Sequence, residues 1–199
     1  MNQIEILKIF EEKNALLSGH FLLSSGLHSD KYVQCAQVLQ YPDAAEKLAK
    51  ELASELIQQF KNLNLKFKIS TVVSPAMGGV IIGQEMGRAL GVRAIFTERE
   101  QSLMTFRRGF KVEKGEKIII VEDVITTGKS TKEVADLLKS LGAEIVCAVS
   151  LIDRTGGKAD LPFPAVSLLK LDIKTYQPQD CPLCKEGTTA IKPGSRGLK

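Results

Sequence analysis

The chain has 199 residues, 44% of them hydrophobic and 25% charged, enough for one domain with a sizeable core. Its formal net charge is +4 and Trp is absent, so neither a nucleic-acid footprint nor an aromatic platform for single strands is expected. No apolar run is long enough to span a membrane, and the acid-bearing start MNQIEILKIFEEKN lacks the plan of a signal peptide. The expectation is a cytoplasmic protein with neither nucleic acid nor membrane as a partner, its cysteines Cys35, Cys147, Cys181 and Cys184 reduced.

Apolar residues at Ile6, Ile9, Phe10 and Leu17 predict a loose helix over residues 4–17. Residues 21–39 read as a hairpin with Gly26 in its turn, and Pro42 opens a helix with Leu48, Leu52, Leu56 and Ile57 on one face. The pattern then alternates. Strands are predicted at 68–74, 92–98, 117–124 and 144–153, with helices at 78–90, ended by Gly91, and at 130–141, stopped by Gly142. Residues 162–199 are loop-rich, with one strand at 165–171. Near-continuous apolar strands alternating with helices predict an α/β fold, a parallel sheet flanked by helices.

The most informative segment is IIIVEDVITTGKST, residues 118–131. A hydrophobic strand runs into Glu122 and Asp123, and adjacent carboxylates at the end of a buried strand are costly without a partner. In open α/β sheets that edge is where ligands bind. Two neighbouring carboxylates suit the vicinal hydroxyls of a ribose. The following loop holds Val124, Ile125, Thr126, Thr127, Gly128, Lys129 and Ser130. Gly128 allows close backbone approach, and the hydroxyls with the free N–H groups of the helix start make an anion site. Each hydrogen bond to a phosphate oxygen is worth roughly 1.5–3 kcal/mol. Together these form a ribose 5-phosphate footprint. Helix capping alone does not need the whole run. A Walker A loop is excluded because Asp123 stands where its first glycine belongs. A second glycine-opened helix start, SPAMGGVIIG with Gly78 and Gly79, could bind another anion or merely pack strand against helix.

IIIVEDVITTGKST closely resembles the phosphoribosyl diphosphate signature of type I phosphoribosyltransferases, and ITTG preceded by Glu-Asp resembles the orotate branch of that family. The resemblance runs from FLLSSGLHSDKY through KPGSRG. It implies one domain over residues 1–199: a core at about 41–160 under a small hood from about 15–40 plus the C-terminal segment. It also implies a homodimer and Mg²⁺ carried on the substrate near Asp123, with no side chain assigned as a direct ligand. The implied activity transfers ribose 5-phosphate from phosphoribosyl diphosphate to orotate, a step of pyrimidine (UMP) biosynthesis. Asp123 would orient the ribose. Gly78 and Gly79 would hold the diphosphate, and Thr126 and Arg154 the orotate. Arg99 and Arg108 would belong to a mobile loop, residues 96–116, that closes over the diphosphate from across the dimer.

Several positions depart from the family pattern. Met77, Gly78 and Gly79 occupy the stretch where a lysine is usual, and Glu98 replaces the first member of a basic pair completed by Arg99. The loop has no histidine. Ser24 aligns with a basic residue, and Val33 and Gln34 with paired aromatics, leaving Lys31 as a substitute cation. The loop could instead be a solvated hairpin with surface arginines, and Arg154 a surface partner of Asp153. His20 and His28 are expected at the surface. The CxxC of Cys181 and Cys184 is expected to be structural or incidental, since no second CxxC or nearby histidine pair accompanies it. The competing functions are a purine-base phosphoribosyltransferase and a regulator of the same fold that binds nucleic acid.

Overall fold

A computed structural model describes residues 1–23, 25–62 and 68–193. Ser24 and residues 194–197 of the KPGSRG tail, both used in the resemblance, lie outside the described residues.

Helix α1 spans Gln3–Glu12 behind a capping box, Asn2 accepting from Glu5 N and Glu5 from Asn2 N. It stops five residues before the predicted end because Asn14 takes a left-handed turn (φ 53°), which hands Leu16 and Leu17 to a strand. Strands β1 (Leu16–Leu22) and β2 (His28–Val33) form a hairpin around Gly26 as expected, but it spans 16–33 rather than 21–39, and residues 36–39 are helical instead. A short α2 (Ala36–Leu39) and the long α3 (Pro42–Asn62) follow.

The core alternates as the apolar pattern predicts: β3 (Thr71–Pro75), α4 (Gly79–Leu90), β4 (Arg93–Glu100), β5 (Leu103–Thr105), β6 (Lys117–Ile125), α5 (Lys129–Ser140), β7 (Glu144–Asp153) and β8 (Ala165–Lys170). The sheet order is β5-β4-β3-β6-β7-β8, parallel except for β5. Ile118, Ile119, Ile120 and Val121 of β6 are fully buried. Successive side chains serve opposite faces. Ile119 and Val121 pack with Leu48 and Leu52 of α3 and Ile82 and Met86 of α4, whereas Ile118 and Ile120 meet Val134 and Leu138 of α5. Each buried Ile contributes roughly 1.5–3 kcal/mol, so both helical layers are held by one strand's alternation.

The predicted loop at 96–116 is in its first part a hairpin. β4 turns into β5 through Gln101 and Ser102, both with positive φ (46° and 69°). Two left-handed residues are what a two-residue hairpin requires, but Gln-Ser is not among its usual sequences.

The C-terminal stretch contains three elements that the sequence reading lacked: β9 (Thr175–Tyr176), a 3₁₀ turn (Pro178–Asp180) and α6 (Pro182–Lys185). β9 pairs with β2, and Ile191 bridges to β1 through Leu22 N→Ile191 O and Ile191 N→His20 O, both 2.8 Å. Both ends of the chain thus build one small sheet. This pairing corrects the expectation for the histidines: His20 and His28 are 7% and 9% exposed and lie against Cys181 and Cys184. Among the described residues no helix is long and apolar enough to cross a membrane.

Candidate active site

The chain reverses its winding between the two central strands. From β3 it passes through α4 on one face to β4, and from β6 through α5 on the other face to β7. Connections that leave neighbouring strands in opposite directions open a crevice at their carboxyl ends. A cleft of about 230 Å³ lies there, walled by Pro75, Ala76, Gly78 and every residue from Glu122 to Thr131. The sequence motif is therefore the lining of a real cavity, and its position is set by strand order.

Gly128 sits at φ 73° and opens α5, pointing that helix's first N–H groups at the cleft. Thr126, Thr127 and Lys129 are exposed around it. Across the cleft, a Cβ on Gly78 would lie 2.6 Å from Asp123 Oδ1, and one on Gly79 would lie 2.9 Å from the Val121 carbonyl. The glycines at the start of α4 are needed because β6 and its carboxylate pass so close.

Glu122 is 6% exposed, with Oε1 accepting from Thr131 Oγ1 at 3.2 Å. Burial first, and the neighbouring Asp123 charge second, push its carboxyl up to about 8, against the pull of the Thr131 hydrogen bond. Asp123 is more open and is also raised, by burial, while the N–H groups of Val124 and of Asp123 itself act in the opposite sense. Two desolvated acids share one crevice, and among the described residues neither has an ion-pair partner. Such a pair stores a preference for ligand hydroxyls or a cation.

Arg154 follows the end of β7 and is tied beside the motif by its N–H to the Ile125 carbonyl at 2.9 Å. The surface-pair reading fails: Asp153 is 4% exposed, and its Oδ1 accepts from Thr155 N (2.7 Å) and Thr155 Oγ1 (2.6 Å). Arg154 Nε is buried without a hydrogen bond among the described residues. Burial lowers its guanidinium from the usual range, and the proximity of Tyr32 on β2 partly offsets this. Cys35 also approaches the site, its thiol donating to the Asp123 carbonyl at 3.7 Å. The β1–β2 sheet and the motif therefore share one neighbourhood.

Arg99 and Arg108 are placed differently. Arg99 pairs with Glu133 of α5, and Arg108 makes a two-pronged pair with Glu98 at 2.9 and 3.0 Å. Both are exposed, and neither lines the cleft of its own chain. Thr131, Pro75, Ala76 and Tyr32 were absent from the sequence-based site. Thr131 follows directly on the GKS run, but only the direction of the Glu122 side chain reveals its role.

A family model described as a phosphoribosyl transferase domain matches residues 37–184. The orotate phosphoribosyltransferase of Thermotoga maritima is 53% identical over 194 residues, covering 98% of this chain and all of that one. The chain belongs to the orotate phosphoribosyltransferase family. The enzyme of the same name from Caldicellulosiruptor bescii is 50% identical over 196 residues, 98% of this chain and 99% of that one. Among solved structures, the orotate phosphoribosyltransferase of Aeropyrum pernix superposes with a TM-score of 0.63 at 24% identity, covering 82% of this chain and 93% of that one. An adenine phosphoribosyltransferase reaches 0.62 at 20% identity over 81% of this chain and 99% of that one. At such identities the likeness shows the family's fold alone, and that fold serves more than one base.

Proposed function

We propose that the protein transfers ribose 5-phosphate from phosphoribosyl diphosphate to orotate, giving orotidine 5′-phosphate and diphosphate in pyrimidine biosynthesis. The observation that carries this reading is the crevice, where two desolvated acids and a hydroxyl-rich helix start face each other with Arg154 alongside. Full-length relatives of the same name support it. The anomeric C–O bond to diphosphate breaks, a bond to an orotate ring nitrogen forms, and diphosphate leaves with the electron pair and takes up the proton that the nitrogen loses. Little proton transfer is needed, so the protein's work is positioning and charge placement. Asp123 and Glu122 hold the ribose hydroxyls. Thr126, Thr127, Ser130 and the α5 amides hold the 5-phosphate, and the backbone at Gly78 and Gly79 holds the diphosphate. Arg154, held beside the motif by its backbone N–H, pairs the orotate carboxylate through its guanidinium, which a purine base gives nothing to pair with.

The donors at the cleft are hard oxygens, a set that suits Mg²⁺. Asp123, the more open acid, is the residue that would sit beside the ion, and Mg²⁺ there would neutralise charge on the leaving diphosphate. We further propose that the enzyme works in the cytoplasm as a homodimer. Arg99 and Arg108, which do not line their own cleft, would then serve the neighbouring protomer's diphosphate. Loss of orotate absorbance with phosphoribosyl diphosphate, with and without Mg²⁺, tests the activity. A panel of adenine, guanine and hypoxanthine tests the base. Turnover of a purine but not of orotate would overturn the assignment.

A further inference from the structure

Outside the lining of the cleft, four side chains with ligating atoms converge where the two ends of the chain meet. They are His20 of β1, His28 of β2, Cys181 at the cap of α6 and Cys184 one turn on, and their ligating atoms all lie within 4.8 Å of one another. His20 Nε2 is 2.9 Å from His28 Nδ1, 3.5 Å from Cys181 Sγ and 3.7 Å from Cys184 Sγ; His28 Nδ1 is 3.3 Å from Cys184 Sγ.

The hydrogen bonds around His20 fix which nitrogen is free. Thr188 Oγ1 donates to the Leu183 carbonyl at 2.8 Å, so it accepts from His20 Nδ1–H, also at 2.8 Å. The His20 Nε2 lone pair therefore points into the cluster. One lone pair in the ring plane cannot serve three donors at once, yet three groups crowd it. A cation at their centre resolves the conflict, because all four atoms can then direct lone pairs at it. Metal–nitrogen bonds of about 2.0–2.1 Å and metal–sulfur bonds of about 2.3 Å in a tetrahedron separate ligand atoms by roughly 3.3–3.8 Å. Three of the four N···S distances fall in that range, the N···N contact is a few tenths of an ångström shorter, and every pair lies within 4.8 Å, so small shifts would close the tetrahedron. The Thr188 contact is the outer partner that orients a metal-bound imidazole.

We propose that His20, His28, Cys181 and Cys184 form a closed tetrahedral Zn²⁺ site that staples the C-terminal segment to the β1–β2 hairpin. Two thiolates and two imidazoles are a zinc donor set, and four protein ligands leave no open position for catalysis. The role is structural. The metal joins residues more than 150 positions apart and holds in place the hairpin that carries Tyr32 to Arg154. The Cys-x-x-Cys spacing alone could not reveal it, because the histidines come from the opposite end of the chain.

The test uses the full chain, purified under reducing conditions. Elemental analysis is expected to find one zinc per chain. The chelated protein refilled with Co²⁺ should show the thiolate-to-cobalt charge-transfer band and strong visible bands of a tetrahedral site. Chelation should lower the thermal midpoint of the wild type but not that of Cys181→Ser/Cys184→Ser or His28→Gln, which should bind no zinc. If those variants do not fold, the cobalt spectrum of the wild type still decides. Absence of zinc together with an octahedral cobalt spectrum overturns the proposal. So does a Cys181–Cys184 disulfide in freshly isolated protein, or iron in place of zinc.

Discussion

Replacing Glu122 with glutamine tests the electrostatics of the cleft directly. The folded carboxyl titrates at about 8 against a reference of 4.5, so the folded state holds its proton more tightly than the unfolded state does. Between those two values the folded protein carries the extra proton, and this group's contribution to stability declines as pH rises, by about 1.4 kcal/mol per pH unit. It is complete below about pH 4.5 and lost above about pH 8, for a total of at most ~5 kcal/mol. The substituted amide keeps an oxygen for the Thr131 hydroxyl and never ionises. Asp123 is raised in the same direction, but it is present in both proteins and largely cancels. Urea unfolding at fixed protein concentration, followed by circular dichroism from about pH 5 to about pH 8.5, should show the variant gaining several kcal/mol on the wild type. If the two stability curves stay parallel across that window, Glu122 is not a desolvated acid and the account of the cleft is wrong.

Asp123→Asn should lower kcat by roughly 10²-fold or more with an unchanged circular dichroism spectrum; near-normal turnover would remove Asp123 from the mechanism. Arg154→Lys keeps the charge but loses the planar fork, so KM for orotate should rise roughly 10- to 100-fold while KM for phosphoribosyl diphosphate holds. Equal changes in both constants would refute a specific carboxylate contact. Gly78→Ala places a methyl group 2.6 Å from Asp123 Oδ1, so activity should collapse with far less loss of thermal stability. An active alanine variant would mean that this approach is not required.

The lining of the cleft was legible in the sequence because its chemistry is local: IIIVEDVITTGKST carries strand, acids, turn and helix start within fourteen consecutive residues. The alternating elements from 68 to 153 were legible for the same reason, since burial on both faces demands apolar runs. The β4–β5 hairpin was less so, because Gln101 and Ser102 are held in left-handed turn geometry that their identities do not favour. The partner of Asp153, Thr155, lies within LIDRTGG, but the free Nε of Arg154 could not be read from that segment, because its burial depends on neighbours outside it. The clearest contrast is at the opposite ends of the chain. Sequence by itself determined the parallel strands, the hydroxyl-rich turn and the identity of the acids, all encoded within a few residues of each other. Only the tertiary structure decided that β9 and Ile191 fold back onto β1 and β2, bringing His20 and His28 to Cys181 and Cys184. Contacts across more than 150 residues depend on how the sheets close, and no local pattern of side chains records that.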